Sequence, residues 1–153
     1  MTLAFPVGDD SVLIDEADLP LVQRYSWRIK FSKDGGRKYA QGPSGYFMHR
    51  MILNAPRGAQ VDHINGNSLD NRRANLRLCT AQQNQANTGP RTGRFKGVSQ
   101  TKHGTFRAVI HFHRKQISLG SFANEVDAAR AYDSAAEELF GGYARLNNPA
   151  AAQ

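Results

Sequence analysis

The alternation of apolar and polar side chains is most regular around Phe106, Ala108, Ile110 and Phe112, which interleave with Thr105, Arg107, Val109, His111 and His113. A period of two marks a half-buried strand, one face toward a core and the other mostly polar. Ile117 and Leu119 then alternate with Gln116 and Ser118, and Phe95 to Gln100 supplies a shorter strand ahead of the turn Lys102-His103-Gly104. Three antiparallel strands are expected. After Phe122 the period changes. Asn124 with Asp127 three residues on suits a capping box, Val126, Ala128, Ala129, Tyr132, Ala135, Ala136, Leu139 and Phe140 make an apolar stripe, and Gly141 suits a C-terminal cap. This predicts a helix of about four turns whose alanines allow close approach to the sheet.

The first half is less regular. Leu19 to Ile29 and Gly45 to Leu53 carry the apolar residues expected in its core, and Tyr25 and Trp27 read as packing residues. Between Gln60 and Asn87 the pattern is a short strand (Gln60 to Ile64), a polar loop (Asn65 to Asn75), a second strand (Leu76 to Cys79) and a helix that Thr80 with Gln83 would cap. Thr88-Gly89-Pro90-Arg91-Thr92-Gly93 reads as a linker, because its glycines and proline oppose regular hydrogen bonding. Residues 1–45 show no definable chemistry and are expected either to shape the first domain or to extend the DNA contact.

Charge narrows the choice of partner. The 153 residues carry a net +7, unevenly spread. Met1 to Pro20 holds five acids and no base, Arg24 to Arg91 holds twelve bases against Asp34, Asp62 and Asp70, and Arg91 to Phe122 holds seven bases and no acid. A local positive field favours a polyanion. The acidic start is no targeting peptide, and no apolar run approaches the roughly 20 residues that span a bilayer. A lone Cys79 excludes a disulfide framework or a Cys-x-x-Cys zinc site, fits a reducing intracellular setting, and is expected to be a small buried residue.

The densest chemistry lies between Asp62 and Asn84. Phosphodiester hydrolysis needs a base to deprotonate water and a hard cation to neutralise phosphate charge. Asp62 and Asn84 offer oxygen ligands that suit Mg²⁺, His63 can accept a proton near neutral pH, and Asn75 could orient its ring. Strand neighbours Asp62 and His63 point to opposite faces, so sharing an ion requires a bend at Ile64-Asn65-Gly66. A loop of Asx turns accounts for the same Asn residues without catalysis.

His49-Arg50-Met51-Ile52-Leu53, Asp62-His63-Ile64-Asn65-Gly66-Asn67, Asn71-Arg72, Ala74-Asn75-Leu76-Arg77 and Asn84 together resemble the HNH endonucleases, in the branch of phage and group I intron homing enzymes with a ββα-metal site. The resemblance covers roughly Met48 to Asn87. It implies that His63 is the general base, that Asp62 and Asn84 hold one divalent ion, Mg²⁺ with Mn²⁺ able to substitute, and that Asn75 positions the base. Asn84 stands where many relatives have His. Arg72, Arg73 and Arg77 beside the site could hold phosphates or form a solvated basic loop, and His49 is expected to give structural support.

Phe95-Lys96-Gly97-Val98, Leu119-Gly120-Ser121-Phe122, Ala128-Ala129-Arg130-Ala131-Tyr132-Asp133 and Ala144-Arg145-Leu146-Asn147 resemble the apetala-2/ethylene-response-factor DNA-binding domain. That resemblance covers Arg94 to Asn148 and implies a sheet lying in the major groove, backed by the helix. The contact positions differ from the Arg and Trp of plant members, so their target sequence does not carry over. Arg94, Lys96, Lys102, Arg107, His111, Gln116 and Ser118 are the expected DNA contacts, with His113 projecting from the same face as His111 and Gln116 able to read adenine.

The expected fold is α+β: an N-terminal ββα-metal nuclease domain (1–88), a linker (89–93), a three-stranded antiparallel sheet packed on one helix (94–148) and a tail (149–153). The expected activity is metal-dependent cleavage of double-stranded DNA by an intracellular, phage- or mobile-element-encoded protein with no membrane contact. One centre per chain favours a monomer that nicks. The rival is a sequence-specific DNA-binding regulator on a non-catalytic HNH scaffold. A basic RNA-binding accessory protein would explain the charge but not the motifs.

Overall fold

Two β-hairpins occupy the region where no chemistry was expected. Strands β1 (Thr2–Val7) and β2 (Asp10–Asp15) pair antiparallel across a turn at Gly8, whose φ is +62°. The pleat sends Val7, Val12 and Ile14 inward. A one-turn helix, α1 (Leu19–Val22), follows, then β3 (Arg28–Phe31) paired with β4 (Lys38–Gln41), and α2 (Met48–Ile52). Strands β5 (Gln60–His63) and β6 (Leu76–Cys79) form the third hairpin. Met48, Ile52, Val61 and Leu76 join Val7, Val12 and Ile14 in one core, each such burial contributing roughly 1.5–3 kcal/mol. Trp27 packs against that core and donates to the Val22 carbonyl at 2.8 Å. Tyr25 departs from the expected packing role and is exposed, touching Trp27 edge-on.

These elements are seen in a computed structural model that describes residues 1–33, 35–91 and 93–148. The chain divides into two compact units, Met1–Thr80 and Ala81–Gln153. Helix α3 (Ala81–Ala86), expected to close the nuclease domain, falls in the second unit. The cause is local: the Arg145 amide donates to the Ala86 carbonyl at 3.1 Å, and the Lys96 ammonium donates to the carbonyls of Gln85 and Ala86 at 3.1 and 2.6 Å. A cation there complements the partial negative charge at a helix C-terminus. Thr92 of the expected linker and the expected tail 149–153 lie outside the described residues.

Beyond α3, the second unit is the expected three-stranded sheet on one helix. Strands β7 (Val98–Gln100), β8 (Phe106–Phe112) and β9 (Lys115–Phe122) pair antiparallel in that order, against α4 (Glu125–Phe140). Strand β7 is shorter than Phe95–Gln100, since Phe95 is a buried core residue ahead of it. Asn124 accepts from the Asp127 amide at 2.9 Å, the expected cap, worth about 1 kcal/mol. Gly97 must be glycine: its φ is +73°, and a Cβ there would run into the Tyr132 ring and the Val109 carbonyl. The Asn147 and Asp133 motif residues are also structural. Asn147 exchanges hydrogen bonds with the Lys96 backbone, and Asp133 accepts from the amides of Asn147 and Asn148.

Two expectations from the alternation fail at the β8–β9 end. His113 and Arg114 have φ of 48° and 63° and form the two-residue turn between Phe112 and its partner Lys115, so His113 is not on the strand face. A register shift between Ala108 and Val109 bends β9, and Ile117, expected inside, is 39% exposed.

Candidate active site

The site residues of the first unit gather on the third hairpin. Register sets Asp62 opposite Arg77 and His63 opposite Leu76, and the strand ends at His63, where the Gly66 amide turns back to the His63 carbonyl at 2.8 Å. Gly66 takes the bend with φ +77°. Asp62, His63 and Asn75 are all buried.

The loop between the strands is tied by its own Asx side chains. Asn65 Oδ1 accepts from the Asn67 amide and Asn67 Oδ1 from the Leu69 amide, at 2.8 and 3.1 Å. Asn75 Oδ1 accepts from the Asn65 amide at 2.9 Å, and Asn75 Nδ2 donates to the Asp70 carbonyl at 2.8 Å. Asn75 therefore braces the loop and does not orient the His63 ring, as had been expected of it. That ring meets Asn71. Its Nε2 lies 2.9 Å from Asn71 Oδ1, and Asn71 is fully buried. With the amide oxygen as acceptor, Nε2 carries the proton and the basic lone pair falls on Nδ1, while Asn71 Nδ2 is buried without a hydrogen-bond partner among the described residues. Asn71 stood in the Asn71-Arg72 motif without an assigned role; its partner is an imidazole eight residues away rather than a nearby backbone amide.

Aromatic rings wall the other side of His63. His49 meets it edge-on with centroids 5.0 Å apart and stacks on Phe47, and Tyr39 leans on both imidazoles. Burial pushes the His49 pKa down to about 3, helped by His63 and Arg50, so this ring is a neutral packing group, as expected. Burial also lowers the His63 pKa from its ordinary 6.5, against the opposing pull of the Asn71 hydrogen bond and of Asp62 and Asp70. A histidine neutral at working pH can serve as a base. Cys79 is half-buried, and burial raises its thiol, which suits no nucleophile.

Each expected phosphate-holding arginine of the loop faces a carboxylate inside its own unit. Arg72 grips Asp70 through Nε at 2.8 Å and a terminal nitrogen at 2.6 Å. Arg73 grips Asp18 at 3.0 and 2.7 Å. Arg77 grips Asp62 Oδ2 through Nε at 2.9 Å and a terminal nitrogen at 2.8 Å. Their charges are matched internally, which argues against a role as free phosphate clamps.

Among the described residues, no three His, Cys, Asp or Glu side chains gather as a metal-binding cluster. A cation here would rest on the Asp62 carboxylate, an oxygen donor that suits a hard ion such as Mg²⁺. Asn84, the expected second ligand, is half-buried on α3 in the second unit.

The sheet of the second unit offers a different surface. Cross-strand partners share a face, so Ser99, Arg107 and Ser121 form one row, Val109 and Ser118 the next, and His111 and Gln116 the third. Arg107, His111, Gln116 and Ser118 are thus brought together on one exposed face. Lys102 is exposed in the β7–β8 turn, and exposed Arg94 lies over the Phe95 ring at 4.9 Å. Lys96 is the exception among the expected contacts. Its ammonium caps α3, and burial, with Arg145 and Arg91 nearby, lowers its pKa to about 8. No helix among the described residues is long and apolar enough to cross a membrane.

Residues 46–86 match the sequence profile of HNH endonucleases. An uncharacterized HNH endonuclease of Acanthamoeba polyphaga mimivirus is 30% identical over 143 residues, 84% of this chain and 70% of the relative. The chain is also 44% identical over 66 residues to dehydration-responsive element-binding protein 2E of Arabidopsis thaliana and 41% identical over 63 residues to ethylene-responsive transcription factor 3 of Nicotiana tabacum. It spans only 27% and 28% of those plant proteins. No solved structure matches the chain.

Proposed function

Since the chain belongs to the HNH endonuclease family, we propose that it hydrolyses phosphodiester bonds of double-stranded DNA, cutting with its first unit and docking with the sheet of its second. The observation that carries this reading is the buried, neutral His63 ring held by Asn71 beside the Asp62 carboxylate. His63 takes the proton of the attacking water on Nδ1, and the hydroxide attacks phosphorus in line with the 3′ oxygen. The products are 5′ phosphate and 3′ hydroxyl. Asn71 holds the ring so that the lone pair does not wander between nitrogens. Asp62 and, by the family pattern, Asn84 are the residues that would hold Mg²⁺, or Mn²⁺ in its place. The bound ion would neutralise charge on the phosphate and on the leaving oxygen.

The docking surface is the exposed row of Arg107, His111, Gln116 and Ser118, flanked by Lys102 and Arg94. Arg107 suits guanine or phosphate, and Gln116 suits adenine. The names of the plant relatives, a DNA-element-binding protein and a transcription factor, support a DNA role for this unit. A monomer with one centre would nick. A DNA substrate puts the work inside the cell, and a viral relative suits a phage or mobile-element origin.

The rival, a DNA-binding regulator, draws on one observation: Arg77 already occupies Asp62 Oδ2. Incubation with supercoiled plasmid and Mg²⁺ separates the two, with EDTA and His63→Ala as controls. Nicked product that disappears in both controls supports the nuclease. Binding without cleavage by the wild type supports the regulator.

A further inference from the structure

The HNH match begins at residue 46, yet the loop that carries Asn71 is held from outside that segment. The Leu13 amide donates to the Leu69 carbonyl at 2.8 Å, and the Leu13 carbonyl accepts from the Asn71 amide at 2.7 Å, a parallel bridge that adds the loop to the edge of β2. Two residues on, Asp15 accepts from the Arg73 amide at 2.8 Å. Asp18, buried, receives the Arg73 guanidinium in two-point contact. From the second hairpin the Lys38 carbonyl accepts from the Ser68 hydroxyl at 2.6 Å. Contacts from residues 13–38 thus hold the loop on both sides of Asn71.

The sequence of bonds has a direction. Asn71 has its amide on β2 and its side-chain oxygen on the ring of the base. Asn71, fully buried, therefore links the first hairpin to the His63 ring through a single residue. The acidic character of the N-terminus, opposite in sign to the rest of the chain, has a use in this arrangement. Asp15 and Asp18 anchor Arg73 and so hold the loop on the side opposite the Ser68–Lys38 bond.

We propose that the first hairpin and the Asp18–Arg73 pair are positioning elements of the active centre: through Asn71 they set the tautomer and orientation of His63. Leu13, Asp15, Asp18 and Arg73 do not touch the reacting atoms. This rests on the nuclease reading for its catalytic consequence only, and the geometric claim is testable without cleavage.

The experiment uses the full chain with ¹⁵N-labelled histidine, comparing wild type, Asp18→Asn, Arg73→Gln and the double variant. In the wild type, the His63 ring should give the signature of a single tautomer with the proton on Nε2. Asp18→Asn and Arg73→Gln should each give mixed-tautomer signals, and the double variant should be no worse than either alone. Cleavage assays should show kcat falling on the order of tenfold while KM for DNA stays within about twofold. Asp15→Asn, which weakens a single backbone contact, is the milder variant should Asp18→Asn not fold. An unchanged His63 spectrum in folded Asp18→Asn or Asp15→Asn would overturn the inference. If the wild type cleaves no DNA, the spectra still decide the positioning claim, so its failure and the failure of the nuclease reading are told apart.

Discussion

Arg77 lies across the hairpin from Asp62 and directs both Nε and a terminal nitrogen at the same carboxylate oxygen, Oδ2, at 2.9 and 2.8 Å. Asp62 Oδ2 is thus already engaged by a guanidinium, and a metal ion at the proposed site would meet Arg77 on the same buried carboxylate.

That competition predicts the behaviour of Arg77→Gln. Removing the guanidinium takes away the Arg77 ion pair of the buried Asp62 and should cost up to about 3 kcal/mol of stability in EDTA. Mg²⁺ should restore part of that loss, raising the melting temperature of the variant more than that of the wild type, with ion affinity higher on the order of tenfold. Thermal melts and calorimetric titration with Mg²⁺ check this. Equal Mg²⁺ responses in both proteins would dismiss Asp62 as an ion ligand.

Asn71→Ala removes the acceptor on His63 Nε2 and opens a small void in a fully enclosed site. The expected loss is about 1–3 kcal/mol in urea unfolding. Turnover should fall by roughly tenfold to a hundredfold with DNA affinity unchanged. Asn75→Ala should destabilise by a similar amount, since it braces the loop. It should act on the base only indirectly, so a larger catalytic loss in Asn75→Ala than in Asn71→Ala would contradict the assignment.

Acid should weaken the first unit through His49. Its folded pKa is about 3 against an ordinary 6.5, so between those values the unfolded chain binds the proton that the folded chain refuses. Stability from this group is complete above about pH 6.5 and declines as pH falls toward 3. His63, also lowered by burial, acts in the same direction. Melting temperature followed from pH 7.5 to 4.5, values that bracket these transitions, should fall less steeply in His49→Phe than in the wild type. Parallel curves would remove His49 as the cause.

DNA affinity should divide the arginines by their partners. Arg107→Ala and Gln116→Ala, on the exposed sheet face, should each weaken specific binding by about 1–3 kcal/mol. Arg72→Gln and Arg73→Gln should leave both affinity and its salt slope nearly unchanged, because Asp70 and Asp18 already match those charges. Titration of labelled duplex at several salt concentrations distinguishes these outcomes. A steep loss with Arg73→Gln would return that residue to the DNA interface.

Local rules reached furthest where each residue answers to its near neighbours. The Asn124 cap, the length of α4, the pairing of Gln60–His63 with Leu76–Cys79 and the alternation of β8 follow from periods, caps and turn residues within a few positions. The chain alone also carried the resemblance to HNH endonucleases, because a motif is a matter of residue type and spacing. Which side chain holds His63 was not available at that level. Asn71 and Asn75 are the same residue type in one loop, and Leu13, far away in sequence, bonds the backbone of only one of them. The basic run around Arg72 to Arg77 likewise read as a surface for phosphate until folding brought Asp18, Asp62 and Asp70 against it. Charge along a sequence sums regardless of distance, but an ion pair depends on which groups meet within a few ångströms in a desolvated place, and only the tertiary structure decides that.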